Sequence, residues 1–135
     1  MTIHKIVNPA SLAAPVGFTH AVVAARGTTV YLGGQAGIDA SGALVAPGLI
    51  EQFDTAAANV VTALKAAGAQ PDHLVSMQIF VTSAKEYSRS LSELGEVYRK
   101  HFGRHYPALA LFEVNGLFEP DAKVELLCVA VIPES

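Results

Sequence analysis

Two apolar runs near the C-terminus, Ala108 to Val114 and Ala122 to Val131, restrict the folds open to this chain more than any other stretch. A short turn from Asn115 to Asp121 joins them. Runs that are apolar on both faces belong to strands covered from above and below. Within the second run Glu125 is the one carboxylate, with Lys123 its only polar neighbour. A carboxylate so placed must be paired, protonated or put to work, because burying it ionised and alone is costly. Glu125 is therefore the first candidate for chemistry, as a general acid/base or a carboxylate that orients water. The plainer reading is a surface carboxylate that shares a face with Lys123.

Upstream, alternating and helical periodicities follow one another. His4 to Val7 reads as a short strand stopped by Asn8-Pro9. Phe18 to Ala25 and Thr28 to Leu32 are β-branched and apolar, and Arg26-Gly27 between them predicts a hairpin. Gly33-Gly34 ends the second of these, and Gln35 to Gly48 reads as a loop with a turn at Asp39 to Gly42. Apolar residues from Leu49 to Ala67 recur every three or four positions, which predicts an amphipathic helix closed by Gly68. Leu74 to Thr82 alternates as a strand, with Val75, Met77, Ile79 and Val81 on one face. Ser83-Ala84-Lys85-Glu86 predicts a capping box that opens a second helix, with a stripe from Tyr87 to Phe102 and an end at Gly103.

The resulting order is βββαβαββ, one domain over residues 1–135, with two strand-helix-strand crossovers. Two helices with one apolar stripe each cover one face of a sheet and leave the other for a neighbouring subunit. Composition points the same way: 51% hydrophobic against 16% charged residues is more apolar side chain than a small monomer usually hides. A net charge of −3 with scattered basic residues leaves no footprint for nucleic acid or acidic lipid. The N-terminal stretch lacks the pattern of a signal peptide, no run reaches the length of a membrane span, and the single Cys128 fits a reducing compartment, so a soluble, cytoplasmic protein is expected.

Other candidates are weaker. Gly33-Gly34-Gln35-Ala36-Gly37 permits close backbone approach to a ligand but lacks the Lys-Ser/Thr of a phosphate loop. Glu113 lies near a strand end, where solvent or a cation satisfies it. His20 reads as a strand histidine bonded to a neighbour, Cys128 as a core thiol, and His101 and His105 are separated by Gly103, which spoils a metal pair. No metal or cofactor is expected.

Val30-Tyr31-Leu32-Gly33-Gly34-Gln35, Leu64-Lys65-Ala66-Ala67-Gly68, Val75 to Thr82, Tyr98 to Phe102, Tyr106-Pro107-Ala108 and Lys123-Val124-Glu125 resemble, in that order, the Rid family of reactive intermediate deaminases, also called YjgF-type or L-PSP proteins. The resemblance implies a chorismate-mutase-like α/β subunit, a mixed sheet with two helices on one face, and a homotrimer with ligand clefts between subunits. It also implies hydrolysis of imines or enamines to a carbonyl compound and ammonia, with Glu125 handling the water and Phe18, Gly33, Gly34, Gln35, Gly95, Leu109 and Leu111 lining the cleft. Several of these positions depart from the family pattern. Leu109 stands where the family has a carboxylate-clamping arginine, Phe18 where tyrosine is usual, Gly33 where serine is usual, Gly95 where asparagine is common, and Leu111 where a small or polar residue is common. Two functions follow: a deaminase with altered substrates, or a trimer that binds an apolar metabolite without chemistry. Arg26, Arg89, Arg99 and Arg104 are the candidates to replace the missing cation.

Overall fold

The computed structural model describes residues 2–135. Eleven elements follow one another: β1 (Lys5–Val7), β2 (Ala21–Val23), β3 (Gly27–Tyr31), β4 (Gln35–Ala36), α1 (Leu49–Ala66), a 3-10 turn (Pro71–His73), β5 (Leu74–Val81), α2 (Ala84–Arg89), α3 (Leu91–Phe102), β6 (Ala108–Glu113) and β7 (Val124–Pro133). The main sheet runs β3-β7-β5-β6, with β4 continuing the β3 edge against β7. β5 and β6 are parallel and the pairs with β7 are antiparallel, so the sheet is mixed. No helix among the described residues is long and apolar enough to cross a membrane.

One face of this sheet is the core. Val124, Leu126, Cys128 and Ala130 of β7 and Met77, Ile79 and Val81 of β5 pack beneath Phe53, Ala56, Ala57, Val60 and Leu64 of α1 and Leu94, Tyr98 and Phe102 of α3. Helix spacing of three and four and strand spacing of two put these side chains on one side. No helix among the described residues covers the opposite face. Phe80 stacks on Phe112 there, with centroids 5.5 Å apart, and Phe112 and Leu127 stay exposed. The expected pair of one-sided helices is thus present, with the second divided in two.

The expected hairpin is corrected. β2 and β3 form no hairpin: β2 pairs with β1 in a separate two-stranded sheet, and β3 pairs with β7. His4 ties the two sheets. Its Nδ1 accepts from the Ala25 N–H at 3.0 Å, so Nε2 holds the proton and donates to Val131 O at 3.0 Å. Gly27 lies so close to the backbone of Ile132 that a side chain there would collide with it. Between the two C-terminal runs lies β5, which the turn joining them spans.

Within β5 an irregularity between Leu74 and Ser76 shifts the alternation, so Leu74 and not Val75 is buried. At Ser90, φ −112° and ψ 15° interrupt the second helix between α2 and α3. The capping box is half formed. Ser83 Oγ accepts from the Glu86 N–H at 3.1 Å, while the Glu86 carboxylate turns to Lys123 Nζ at 3.1 Å. The 35–48 segment holds β4 in addition to its turn, where Gly42 at φ +85° donates to Asp39 O. Asp39 Oδ1 also accepts from the Ser41 hydroxyl and the Ser41 and Ala43 N–H groups, and these bonds, led by the hydroxyl, lower its pKa.

Candidate functional site

Alternation along β7 decides where Glu125 points. Val124 and Leu126 face the helices, so Glu125 faces the other way, beside Phe80 of β5 and Ala36 of β4. Lys123 does not share this environment, because its ammonium is engaged by Glu86. No hydrogen bond or ion pair holds the half-buried Glu125 carboxylate among the described residues. It occupies the space beside Gly34, where an added Cβ would lie within 2.9 Å of Glu125 Cδ. Gly34 is therefore the notch into which the carboxylate fits.

Around this notch lies a cavity of ≈ 590 Å³ lined by Gly34, Gln35, Asp39, Asn59, Phe118, Glu119 and Glu125, among others. Its wall is braced from α1. Asn59 Nδ2 donates to Ala36 O at 3.2 Å and to Ile38 O at 2.9 Å, which fixes the chain leaving β4. Gln35 donates from Nε2 to Gly33 O at 3.3 Å and closes the turn before it. Gly33 itself has open space where a Cβ would stand. Gly33→Ser is expected to shift unfolding stability by less than about 0.5 kcal/mol in a denaturant titration. A loss above about 1 kcal/mol would mean that the 33–35 turn tolerates no side chain there.

The remaining candidates assemble elsewhere. Leu109 and Leu111 of β6 stand opposite Met77 and Ile79 of β5 and so face the helices. With Phe18, Gly95 and Arg99 they line a second cavity of ≈ 480 Å³, otherwise walled by aliphatic and tyrosine side chains. Burial pushes the Tyr87 hydroxyl in this wall up to about 12. A chain thus carries two groups on opposite sheet faces: Gly34 and Glu125 on one, with Gln35, paired to Leu126, at the edge of their cavity, and Phe18, Gly95, Leu109 and Leu111 on the other. A larger hollow of ≈ 810 Å³, between the 44–47 and 116–123 segments, contains none of them.

The other polar candidates have structural partners. Glu113 Oε1 accepts from the Ala84 N–H at 2.9 Å, at the start of α2. His20 Nε2 meets Ala13 O at 2.7 Å, and its ring stands edge-on to Phe18 at 5.1 Å. His101 Nε2 pairs with Asp54 Oδ1 at 2.5 Å and His105 Nε2 with Leu74 O at 2.7 Å, so each is drawn to a different element. His101, with Lys100 next, holds the Asp54 carboxyl below the usual range. Cys128 is buried in the core, which pushes its thiol up to about 12 and leaves it unreactive.

Asn59, Gln52 and His4 are polar contributors that strand and helix periodicity did not single out. Gln52 lies four residues before Ala56 and eight before Val60, so its spacing alone placed it on the buried stripe.

Comparison with known proteins bears on the whole chain. Residues 8–132 match the family model described as Endoribonuclease L-PSP. The chain is 31% identical to the 2-iminobutanoate/2-iminopropanoate deaminase of Capra hircus, over 96% of this chain and 90% of that protein. It is 33% identical to the RutC family protein UK114 of Drosophila melanogaster over the same shares. Among solved structures, the Rid-family protein YyfB of Yersinia pestis superposes with a TM-score of 0.86 at 26% identity, over 96% of this chain and 98% of that one. The chain belongs to the L-PSP family, whose structural neighbours here are Rid proteins.

Proposed function

We propose that the protein assembles as a homotrimer and hydrolyses a reactive imine or enamine in clefts between subunits, releasing ammonia. The observation that carries this reading is the Glu125 carboxylate, unpartnered among the described residues and seated against Gly34 at the rim of a cavity. Its two groups of cleft residues face opposite sides of one sheet, so a single cleft that uses both needs two subunits. The exposed Phe112 and Leu127 on the helix-free face supply an apolar surface for that contact. The Capra hircus relative bears the name of an imine deaminase, which supports the same chemistry.

Hydrolysis needs little beyond a base and a place for the carbonyl carbon. Glu125 takes a proton from water, as the water oxygen adds to the C=N carbon, and passes it to the nitrogen. It then carries the carbinolamine's hydroxyl proton to the leaving amine in the same way. Collapse of the carbinolamine then forms C=O and expels NH3, so imine plus water gives carbonyl compound plus ammonia. A carboxylate with no competing hydrogen bond is free to do this. Leu109 and Leu111 in place of polar residues favour a substrate with an apolar body.

The test is ammonia release from imines generated in situ by an amino-acid oxidase, 2-iminopropanoate for a small substrate and the phenylalanine-derived imine for a bulky one. Wild type is expected to accelerate release from the bulky imine. Leu109→Arg is expected to raise kcat/KM for 2-iminopropanoate by about tenfold to a hundredfold, the worth of a charge-assisted pair to its carboxylate. If neither protein exceeds the blank on either imine, the hydrolase reading fails and the metabolite-binding alternative takes its place.

A further inference from the structure

The cleft on the helix side lacks the strand arginine of the family, yet it is not without a cation. Arg99 is the only charged residue in its lining. Four residues earlier on the same face of α3 stands Gly95, and a Cβ there would come within 3.1 Å of Arg99 Nη1. The guanidinium therefore lies over the bare backbone at Gly95 in space that a side chain would contest. The Arg99 guanidinium has no ion pair or hydrogen bond among the described residues. A guanidinium at the mouth of an apolar cavity and without a carboxylate partner is suited to a bound anion.

We infer that Arg99 is the anion-binding residue of this cleft, and that the ligand is a carboxylate carried on an aromatic or bulky apolar body. The cation of this cleft thus stands on the α3 helix, with Leu109 an apolar contact on β6 and Gly95 leaving open the space in which Arg99 lies. The carboxylate then sits at the helix end of the cavity, while the body of the ligand packs against Leu109, Leu111 and Phe18. A cavity of ≈ 480 Å³ has room for a phenyl ring and its linker. This rests on the reading of the cleft as the ligand site and needs no turnover there.

Calorimetric titration of the full chain with 3-phenylpropanoate, with its neutral isostere 3-phenylpropanamide and with propanoate separates charge from shape. Wild type is expected to bind the phenyl acid at least tenfold more tightly than either the amide or propanoate. Arg99→Met should lower affinity for the acid by about tenfold to a hundredfold and leave the amide within about twofold. Gly95→Asn, which contests the guanidinium's place, should weaken the acid in the same direction. An acid affinity unchanged by Arg99→Met, an amide that binds wild type as tightly as the acid, or binding of neither overturns the inference. Glu125→Gln distinguishes this from failure of the hydrolase reading. Arg99-dependent binding in a wild type without turnover sinks only the hydrolase. Turnover that needs Glu125, with binding indifferent to Arg99, sinks only the anion site.

Discussion

Glu125→Gln is expected to lower the rate of imine hydrolysis by about 10²- to 10⁴-fold, the range that a positioned general base contributes. Glutamine keeps the shape that fits against Gly34 but accepts no proton from water. Because the Glu125 carboxylate makes no hydrogen bond or ion pair among the described residues, its replacement breaks none, and unfolding stability should move by less than about 0.5 kcal/mol. Oligomer mass measured by light scattering should also stay as in wild type. The division between intact assembly and lost rate is what assigns a chemical role. A fall in rate below threefold would mean that the water is activated by another group and that Glu125 is only a carboxylate on an open sheet face. A fall in rate accompanied by dissociation would place Glu125 in the assembly interface instead.

Periodicity made most of the elements legible. The three-and-four spacing from Leu49 to Leu64 and the alternation from Met77 to Val81 are properties of neighbouring residues, and both elements stand where they were expected. Partners are a different matter, because the same alternation is compatible with several registers and neighbours. Two runs flanking Arg26-Gly27 look like a hairpin by themselves. What separates them is His4, remote in sequence, which holds Ala25 on one side and Val131 on the other. The strand swap by which β5 enters between β6 and β7 is equally invisible to a local reading. Of the site, Glu125 was legible as the one acid in an apolar strand. The roles of the two glycines were not, since only the fold shows that Gly34 receives the carboxylate while Gly33 faces open space. Spacing of four puts Gly95 and Arg99 on one face of α3, but their convergence on Leu109 depends on how α3 lies over β6, which no spacing encodes.

Gln52→Leu is expected to destabilise the protein by about 2–4 kcal/mol, more than its single amide suggests. The side chain is completely buried on α1, and it is saturated by backbone groups from two distant loops. Nε2 donates to Ala46 O at 2.9 Å and Asp121 O at 3.2 Å, and Oε1 accepts from the Lys123 N–H at 2.7 Å. Leucine fills much of the same volume and so leaves little cavity, but it strands two carbonyls and one N–H, each costing about 1–3 kcal/mol where water does not reach it. Water at the loop side relieves part of that, hence the lower total. Asp121 is at φ +66°, a conformation that non-glycine residues seldom adopt, and Gln52 helps to hold it there. On the other side Gly37 packs within 2.6 Å, by an added Cβ, of Gln52 Cα, so the helix is pressed against the loop that follows β4. Loosening this junction frees the start of β7 immediately before Glu125, and the variant should lose catalytic rate as well as stability. Urea titration of wild type and Gln52→Leu measures the first, and ammonia release at a temperature where both are folded measures the second. A loss below about 1 kcal/mol would show that solvent replaces all three bonds and that the loops hold their places without α1.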